Sequence, residues 1–223
     1  MALTYGQLRE QMVREQIAAR GISDPIVLAA MRQVLRHEFV DEKLRDRAYD
    51  DNPLPIGEGQ TISQPYMTAL MAETLKLADG EKVLEVGTGS GYLAAILAEQ
   101  GAHVCSVEMS PRLASRARTV LRKLGYGAVS ILVGDGTLGW KEEAPFDAIV
   151  IGAAAPCLPR PLLAQLRMGG RLVLPMGEED LQTFVRIWKE PKGFREEYFG
   201  ECRFVKLQGA YGWENWRDPK TQS

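Results

Sequence analysis

The pattern of apolar and polar positions changes character near residue 80. Before that point apolar residues recur at helical spacing: one run extends from Leu8 to Ile17 and ends at Gly21, and a second follows the preferred helix cap Asp24. Neither run shows the alternation of a half-buried strand. Residues 1–56 are therefore predicted to form a helical extension.

From residue 82 onward, short apolar runs alternate with helical patterns, which is typical of βα units in a parallel sheet. Strands are predicted at residues 82–86, 102–107, 129–133, 146–151 and 170–175, and helices at 91–99, 111–124 and 159–167. Two more strands, at 183–188 and 202–207, are predicted to pair through a turn at 191–193. The pattern predicts an α/β fold: a doubly wound, mostly parallel Rossmann-like sheet of about seven strands with an antiparallel C-terminal pair.

The length of the chain fits one sizeable α/β domain spanning residues 1–223. In this interpretation the helical extension precedes a core at 57–207, and residues 208–223 form a tail. Aromatic residues are concentrated at 211–216. They would either cap the sheet, which is our expectation, or contact a partner.

Composition narrows the class of protein. The net charge is −2 and 25% of the residues are charged, so the basic surplus of a general nucleic-acid binder is missing. No apolar run approaches the roughly 20 residues of a membrane span, and the first 30 residues carry charges where a signal peptide would be apolar. Three cysteines and two histidines match neither a disulfide framework nor a metal site. We therefore expect a cytoplasmic protein that binds no metal, nucleic acid or membrane.

The strongest chemical signal is the glycine-rich stretch at residues 83–91. An apolar strand runs into Gly87, Gly89 and Gly91, which allow the backbone to approach a ligand and to turn into a helix. The dinucleotide fingerprint would need its last glycine at the position of Tyr92. The pattern therefore indicates a cofactor other than a dinucleotide, and an ordinary strand-to-helix turn is the alternative.

Acidic residues lie near the ends of three consecutive predicted strands. Glu85 and Glu108 suit a ligand that carries an amine and a ribose diol, and S-adenosylmethionine has both and no phosphate. Glu85 would face the methionine ammonium, and Glu108 would accept from the ribose hydroxyls. Asp135, next to Gly136, would accept from the adenine amino group or form an ordinary Asx turn. Because ligands of such sheets bind at the carboxyl ends of strands, the three acids together predict a cofactor site.

A polar, glycine-containing loop precedes the first strand of the core and leads into a helix that begins near Pro65. Ser63 or Gln64 would cap that helix. A serine beside free helix N–H groups would also be well placed to hold a substrate carboxylate. The residues by themselves leave both roles open.

Together with the strand-end motifs, this loop makes the chain resemble the bacterial protein-L-isoaspartate O-methyltransferase family. The matching segments occur in the family's order within residues 5–207, at 59–67, 83–92, 104–108, 134–136, 144–150, 153–156, 169–175 and 203–205. The glycine-rich segment is shared with many methyltransferases. The loop containing Thr61, Ile62 and Ser63 is much more specific.

The resemblance implies a protein-L-isoaspartate (D-aspartate) O-methyltransferase, which methylates the free carboxylate of L-isoaspartyl residues in damaged proteins and thereby initiates their repair. It implies Ser63 as the active-site residue and isoaspartyl proteins and peptides as substrates. We also expect a monomer. The expected cofactor-binding residues are Ile62, Gln64, Glu85, Gly87, Thr88, Gly89, Gly91, Glu108, Met109, Asp135 and Gly136. The expected substrate contacts are Thr61, Pro65, Ala155 and Pro156.

The chemistry requires little acid or base catalysis, since a carboxylate is already ionised near pH 7. We therefore expect Ser63 to orient the substrate by a hydrogen bond and not to act as a nucleophile, because neither histidine lies in a recognisable triad context. Two residues depart from the family pattern and affect the substrate edge: Lys206 stands at a usual proline, and Gln208 replaces a small or hydroxylic residue.

Two other functions remain open at this point. One is a methyltransferase of the same fold that acts on RNA or a small metabolite, for which we would expect a basic face or an acceptor-base motif. Neither is present after the predicted strand at 146–151. The other is a non-catalytic cofactor-binding module, which the intact strand-end acids and Ser63 disfavour.

Overall fold

Residues 3–215 are described by the computed structural model. The α-helices are α1 (Tyr5–Gln11), α2 (Pro25–Gln33), α3 (Pro65–Leu75), α4 (Tyr92–Glu99), α5 (Pro111–Lys123) and α6 (Arg160–Gln165). The strands are β1 (Leu54–Gly57), β2 (Gln60–Ile62), β3 (Lys82–Val86), β4 (His103–Glu108), β5 (Ser130–Val133), β6 (Phe146–Ile151), β7 (Leu166–Gly177), β8 (Gln182–Glu190) and β9 (Gly193–Cys202). In this part of the chain, every helix is too short or too polar to cross a membrane.

Seven of these strands form the main sheet, in the order β5-β4-β3-β6-β7-β8-β9. Strands β3 to β7 are parallel, whereas β8 and β9 pair antiparallel at one edge. The strand order reverses between β3 and β6, and ligands of such sheets bind at the carboxyl ends of strands beside this switch point. The predicted fold class is confirmed, including the antiparallel C-terminal pair.

Successive residues of β3 face opposite sides of the sheet. Val83 joins an apolar core that includes the N-terminal region, α3, α4 and α5, whereas Leu84 and Val86 join a second core under α6. Glu85 therefore points to the same side as Val83, toward α3 and α4. Strands buried on both faces are normally apolar throughout, so an acid in this position needs an explanation.

The start of the helical extension agrees with the prediction. Helix α1 continues through a π-helical turn (Met12–Ile17) and a 3-10 turn (Ala18–Arg20) to Gly21, whose φ of 99° ends the run. The side chain of Asp24 accepts a hydrogen bond from the N–H of Ile26 at 2.8 Å and caps α2.

The loop before α3 contains more structure than the sequence predicts. Strands β1 and β2 form a separate antiparallel hairpin, and β1 crosses the predicted boundary at residue 56. The hairpin turn places Glu58 and Gly59 in the left-handed region, with φ of 53° and 69°. The short, polar run around this turn lacks the alternation by which a hairpin is recognised.

The prediction of a last strand at 202–207 is wrong. The tight turn at 191–192 lets the chain reverse at once, so the partner of β8 begins at Gly193 and ends at Cys202. Residues 203–207 instead return to the carboxyl edge of the sheet. There the N–H of Ala154 donates to the Val205 carbonyl at 2.7 Å, and the N–H of Leu207 donates to the Ala154 carbonyl at 2.8 Å.

Candidate active site

A cleft of about 320 Å³ opens at the carboxyl ends of β3 and β4. It is lined by the loop that follows β3 and, on another side, by the segment 205–208. The predicted site residues that line it are Thr61, Gly87, Gly89, Glu108, Met109 and Gly136. Its volume lies in the usual range of small-molecule sites, roughly 300–1,000 Å³.

A smaller cavity of about 50 Å³ adjoins this cleft. The predicted site residues that line it are Thr61, Ile62, Ser63, Glu85, Gly87, Thr88 and Gly89. Thr61, Gly87 and Gly89 border both spaces. The fold therefore brings the Ser63 loop next to the glycine-rich loop, although the two belong to different parts of the chain.

Gly87 shows why the loop after β3 needs glycine. Its φ is 91°, a conformation that other residues avoid, and a Cβ built there would meet nothing within 4 Å. The residue borders both cavities, so its bare backbone faces open space. This open space would let a cofactor approach the main chain.

Glu85 is part of a buried chain of hydroxyl groups. One of its carboxylate oxygens, Oε2, accepts a hydrogen bond from Ser106 Oγ at 2.5 Å, and Ser106 Oγ lies 2.5 Å from Thr88 Oγ1. The other oxygen, Oε1, is buried without a partner among the described residues. Burial raises the pKa of Glu85 to about 8, and the nearby Glu108 also raises it. An unpartnered, buried acceptor beside a cavity fits a cationic ligand group such as an ammonium.

Glu108 holds the end of β4 against the glycine-rich loop. Its carboxylate accepts from the N–H of Gly89 at 2.8 Å and from the N–H of Ser110 at 2.9 Å. A carboxylate can accept about four hydrogen bonds, so acceptor capacity remains on the side of the cleft. Glu108 therefore orders the loop and also fits a ligand diol.

Ser63 lies between β2 and α3 and is half-buried. The N-cap of α3 is Gln64, with no side-chain capping bond, so Ser63 is not the helix cap. Ser63 borders the smaller cavity, and its carbonyl oxygen accepts a hydrogen bond from Arg36 Nη2 at 2.7 Å. The uncapped first turn of α3 presents the positive end of the helix dipole beside it, which favours a bound anion.

Some predicted site residues line neither cavity: Gln64, Pro65, Gly91, Asp135, Ala155 and Pro156. Pro65 and Ala155 are buried, and the N–H of Ala155 donates to the Pro175 carbonyl at 2.9 Å. Asp135 accepts from the N–H of Thr137 at 2.9 Å, so the Asx-type turn is present. Its other oxygen accepts from the N–H of Ala210 at 2.7 Å. The role of Asp135 toward adenine stays a prediction.

Other residues line the cleft without having been predicted as ligands. Gly152 and Ala153 follow β6 as Gly87 follows β3, so the same strand-end rule would have found them. Val205 and Leu207 give no local signal, because only their pairing with Ala154 brings them to the edge of the sheet. The segment 205–208 also includes Lys206 and Gln208, the departures from the family pattern.

In the described part of the chain, no cysteine or histidine side chain lines either cavity. Within residues 3–215, no three His, Cys, Asp or Glu side chains are grouped so that they could hold a metal ion. The cysteines are free, and burial raises the pKa of Cys202 to about 11. His37 Nδ1 lies 2.7 Å from the Tyr49 hydroxyl, and His103 begins β4, at the opposite end from the cleft.

A glycine-rich loop and a strand-end acid on neighbouring parallel strands, under a sheet with an antiparallel edge, define the class of S-adenosylmethionine-dependent methyltransferases with a Rossmann-like fold. Two solved structures share the whole architecture. One is a protein-L-isoaspartate O-methyltransferase with a TM-score of 0.83 and 29% identity, covering 92% of this chain and 67% of that one. The other is a beta-aspartate methyltransferase from Plasmodium falciparum in complex with S-adenosyl-L-homocysteine, with a TM-score of 0.78 and 27% identity, covering 93% and 99%.

The family model of the protein-L-isoaspartate(D-aspartate) O-methyltransferases (PCMT) matches residues 7–212. The chain is 52% identical over 212 residues to protein-L-isoaspartate O-methyltransferase 1 of Syntrophobacter fumaroxidans, covering 95% of this chain and 99% of the relative. It is 56% identical over 207 residues to protein-L-isoaspartate O-methyltransferase 2 of Geotalea uraniireducens, covering 92% and 95%. The chain belongs to this family, and the resemblance inferred from its motifs is confirmed.

Proposed function

We propose that this protein uses S-adenosylmethionine to methylate the free carboxylate of L-isoaspartyl residues in damaged proteins, which initiates their repair. The proposal rests on one observation: two loops from different parts of the chain lie next to each other. The family-specific Ser63 loop and the glycine-rich loop after β3 border the same pair of adjoining cavities. A site for the substrate carboxylate therefore lies directly beside a site for the cofactor.

The residues of the cleft and of the adjoining cavity fit S-adenosylmethionine. The unpartnered Oε1 of Glu85 suits the methionine ammonium, Glu108 retains acceptor capacity for the ribose diol, and Gly87 leaves room at the main chain. When bound, the cofactor supplies an electrophilic methyl group. The remaining task of the protein is to place a nucleophilic carboxylate oxygen in line with that group.

Ser63 is suited to this task as a hydrogen-bond donor. The substrate carboxylate is ionised near pH 7 and needs no base, so positioning dominates. Holding two reactants in a reactive geometry, about 3 Å apart, can contribute several kcal/mol. The hydroxyl of Ser63 and the positive end of α3 would together hold the carboxylate. Neither His37 nor His103 lines either cavity, so neither histidine is placed to act as the base that would make Ser63 a nucleophile.

The proposal extends to the state and compartment of the protein: a cytoplasmic monomer that acts on protein substrates and not on nucleic acid or membranes. The free cysteines support a reducing compartment. The nearly balanced charge supports a protein substrate over a nucleic-acid backbone.

A labelling assay tests the proposed function. The protein is incubated with methyl-labelled S-adenosylmethionine and with paired peptides that differ only in an isoaspartyl or a normal aspartyl link. We expect label on the isoaspartyl peptide alone, as a base-labile ester. Equal labelling of both peptides, or none, would contradict the proposal. Label on added RNA or on a small-molecule fraction would favour the alternative methyltransferase function.

The substitution Ser63→Ala tests the role of the serine. We expect turnover on the isoaspartyl peptide to fall by about 10- to 100-fold, because the substrate carboxylate loses its orienting donor. Cofactor affinity, measured by calorimetry, should stay nearly unchanged. Glu108→Ala is the control that removes a cofactor contact. If Ser63→Ala weakens cofactor binding as much as Glu108→Ala does, Ser63 has a mainly structural role.

A further inference from the structure

A buried arginine of the N-terminal region reaches the Ser63 loop. Arg36 is completely buried and lies in a 3-10 turn (Arg36–Phe39). Its Nε donates to the Ala48 carbonyl at 2.7 Å, and its Nη2 donates to the Ser63 carbonyl at 2.7 Å. The guanidinium carbon lies 4.9 Å from the ring centre of Tyr92, which lines the smaller cavity. One side chain thus joins the extension, the Ser63 loop and α4.

Burying the Arg36 guanidinium in this way costs free energy of folding. Burial lowers the pKa of Arg36, and its Nη1 has no partner among the described residues. Two other buried arginines, Arg171 and Arg186, pair with Glu81 and Glu197, whereas no carboxylate within residues 3–215 forms an ion pair with Arg36. Asp51 attracts the guanidinium without forming an ion pair with it. A buried charge without a directly paired carboxylate usually stabilises less than an apolar residue of similar volume would. Its presence beside Ser63 therefore calls for a reason other than stability.

A second contact ties the same loop to the same region. The Gln64 side chain donates from Nε2 to the Asp51 carbonyl at 3.1 Å, and Arg36 holds the Ala48 carbonyl three residues earlier. The residues on both sides of the Ser63–Gln64 peptide bond are therefore fastened to the segment 48–51. A fixed backbone sets the direction of the Cα–Cβ bond, so this fastening limits the Ser63 hydroxyl to the few staggered positions around that bond.

We propose that Arg36 is a positioning residue for catalysis, whose guanidinium holds the Ser63 carbonyl and thereby aims the Ser63 hydroxyl at the substrate carboxylate. The inference rests on the role proposed above for Ser63. It assigns the helical extension a part in the active site, because the arginine and the segment it binds both belong to the extension. A displacement of a positioned group by about 1 Å can cost roughly 100-fold in rate.

The test compares Arg36→Met with Arg186→Met. Arg186 is also buried, and its Nη1 donates to the Thr74 carbonyl at 2.7 Å, at the far end of α3 from Ser63. Arg186→Met should melt several degrees lower than the wild type, because Glu197 loses this buried partner. Only Arg36→Met should lower kcat on the isoaspartyl peptide, by about tenfold or more, with cofactor affinity unchanged within about twofold. Arg36→Lys keeps the charge but lacks the planar fork that bonds both carbonyls, so it should restore part of kcat.

A double variant separates positioning from general loosening. If Arg36 acts through Ser63, Arg36→Met should lower kcat much less in the Ser63→Ala background than in the wild type. Equal losses in both backgrounds, or equal losses of kcat in Arg36→Met and Arg186→Met, would overturn the inference. If Arg36→Met does not fold, Arg36→Lys carries the same comparison, and full activity of that variant would overturn it.

The wild-type assay distinguishes a failure of the proposed function from a failure of the role proposed for Arg36. A wild-type protein inactive on the isoaspartyl peptide would overturn the proposed function and this inference with it. Wild-type activity together with an undiminished kcat in Arg36→Met would overturn this inference alone.

Discussion

Single residues of the two adjoining cavities carry more than one role, and Glu85, which borders the smaller one, shows this most clearly. The sequence predicts an acid at a strand end that faces an ammonium. The structure adds that this acid is buried on the side of α3 and α4 and bound to the Ser106 hydroxyl. In the protein without its cofactor, the carboxyl group therefore holds its proton to a much higher pH than an exposed glutamate does.

The raised pKa of Glu85 predicts a pH-dependent stability. Its pKa rises from an ordinary 4.5 to about 8 in the folded protein, so the folded state binds the proton more tightly than the unfolded chain. The stability linked to this proton is complete below the ordinary pKa and is lost as the pH rises through about 8. We expect the melting temperature of the cofactor-free protein to fall between about pH 6 and about pH 9 by several degrees more than in Glu85→Gln.

Glu142→Gln is the matched control for this experiment, because Glu142 is exposed. It should melt with the same pH dependence as the wild type. Parallel melting curves for the wild type and Glu85→Gln would show that the carboxyl group is ionised already at neutral pH.

At the scale of the elements, the glycine-rich loop has two functions. It leaves room for a ligand at the main chain, and it lets two helices pack closely. Gly91 was expected to contact the cofactor, yet it lines neither cavity. It is the N-cap of α4 with a φ of 88°, and a Cβ there would lie 3.1 Å from Leu121 Cδ1 and 3.3 Å from Ala117 Cβ. The third glycine of the motif therefore allows α4 to approach α5 closely.

This contact makes Gly91→Ala a test of packing. Left-handed backbone costs a non-glycine residue about 1–2 kcal/mol, and overpacking adds about 1–3 kcal/mol. We expect urea unfolding to show that the free energy of unfolding falls by about 2–5 kcal/mol in total. Gly80→Ala is the control: Gly80 has a φ of 76° and nothing within 4 Å of a built Cβ, so only the backbone cost should appear. Equal losses in the two variants would rule out the packing role.

The wrong prediction at 202–207 also belongs to this scale. A strand pattern can be read there, but the position of the hairpin turn decides which residues pair with β8. Once the chain reverses at 191–192, β9 is complete at Cys202 and the next apolar residues are free for other contacts. Local pattern favours the wrong outcome, because β9 is rich in charged residues and mostly exposed, whereas 202–207 carries the apolar residues of a half-buried strand.

At the scale of the whole molecule, the segment after β9 returns across the carboxyl edge of the sheet. Trp213 Nε1 donates to the Ala154 carbonyl at 2.8 Å, and the Tyr211 N–H donates to Thr137 Oγ1 at 3.2 Å. The part of the aromatic tail up to residue 215 thus lies against the edge that bears the cleft, whereas Trp216 falls outside the described residues. These contacts hold in place the segment 205–208 that lines the cleft.

We therefore expect Trp213→Ala to weaken cofactor binding without touching the cofactor. If the segment 205–208 is ordered only part of the time, the apparent Kd rises by the inverse of that fraction, to roughly threefold or more. Trp188→Ala is the control: Trp188 lies on β8, outside the lining of both cavities. It should lower the free energy of unfolding and leave the Kd unchanged. Calorimetric titration with the cofactor measures the Kd of each variant. Equal Kd values for Trp213→Ala and Trp188→Ala would contradict the expectation.

The sequence by itself determined the fold class and the cofactor class, and its resemblance to a known family implied the reaction. These follow from signals that are local in the chain: strand and helix periodicity, glycine spacing, acids at strand ends and the Ser63 loop. Each can be read without knowing what lies opposite, because backbone conformation and ligand chemistry restrict the residue types at those positions.

Only the tertiary structure decided how the site is supported. The bond from Arg36 to the Ser63 loop, the burial of Glu85 and the pairing of 205–207 with Ala154 join residues that are distant in the chain. Arginine, glutamate and short apolar runs are common in any sequence. What they do here depends on desolvation and on which partners the fold brings within hydrogen-bond distance, and neither quantity is present in the order of the residues.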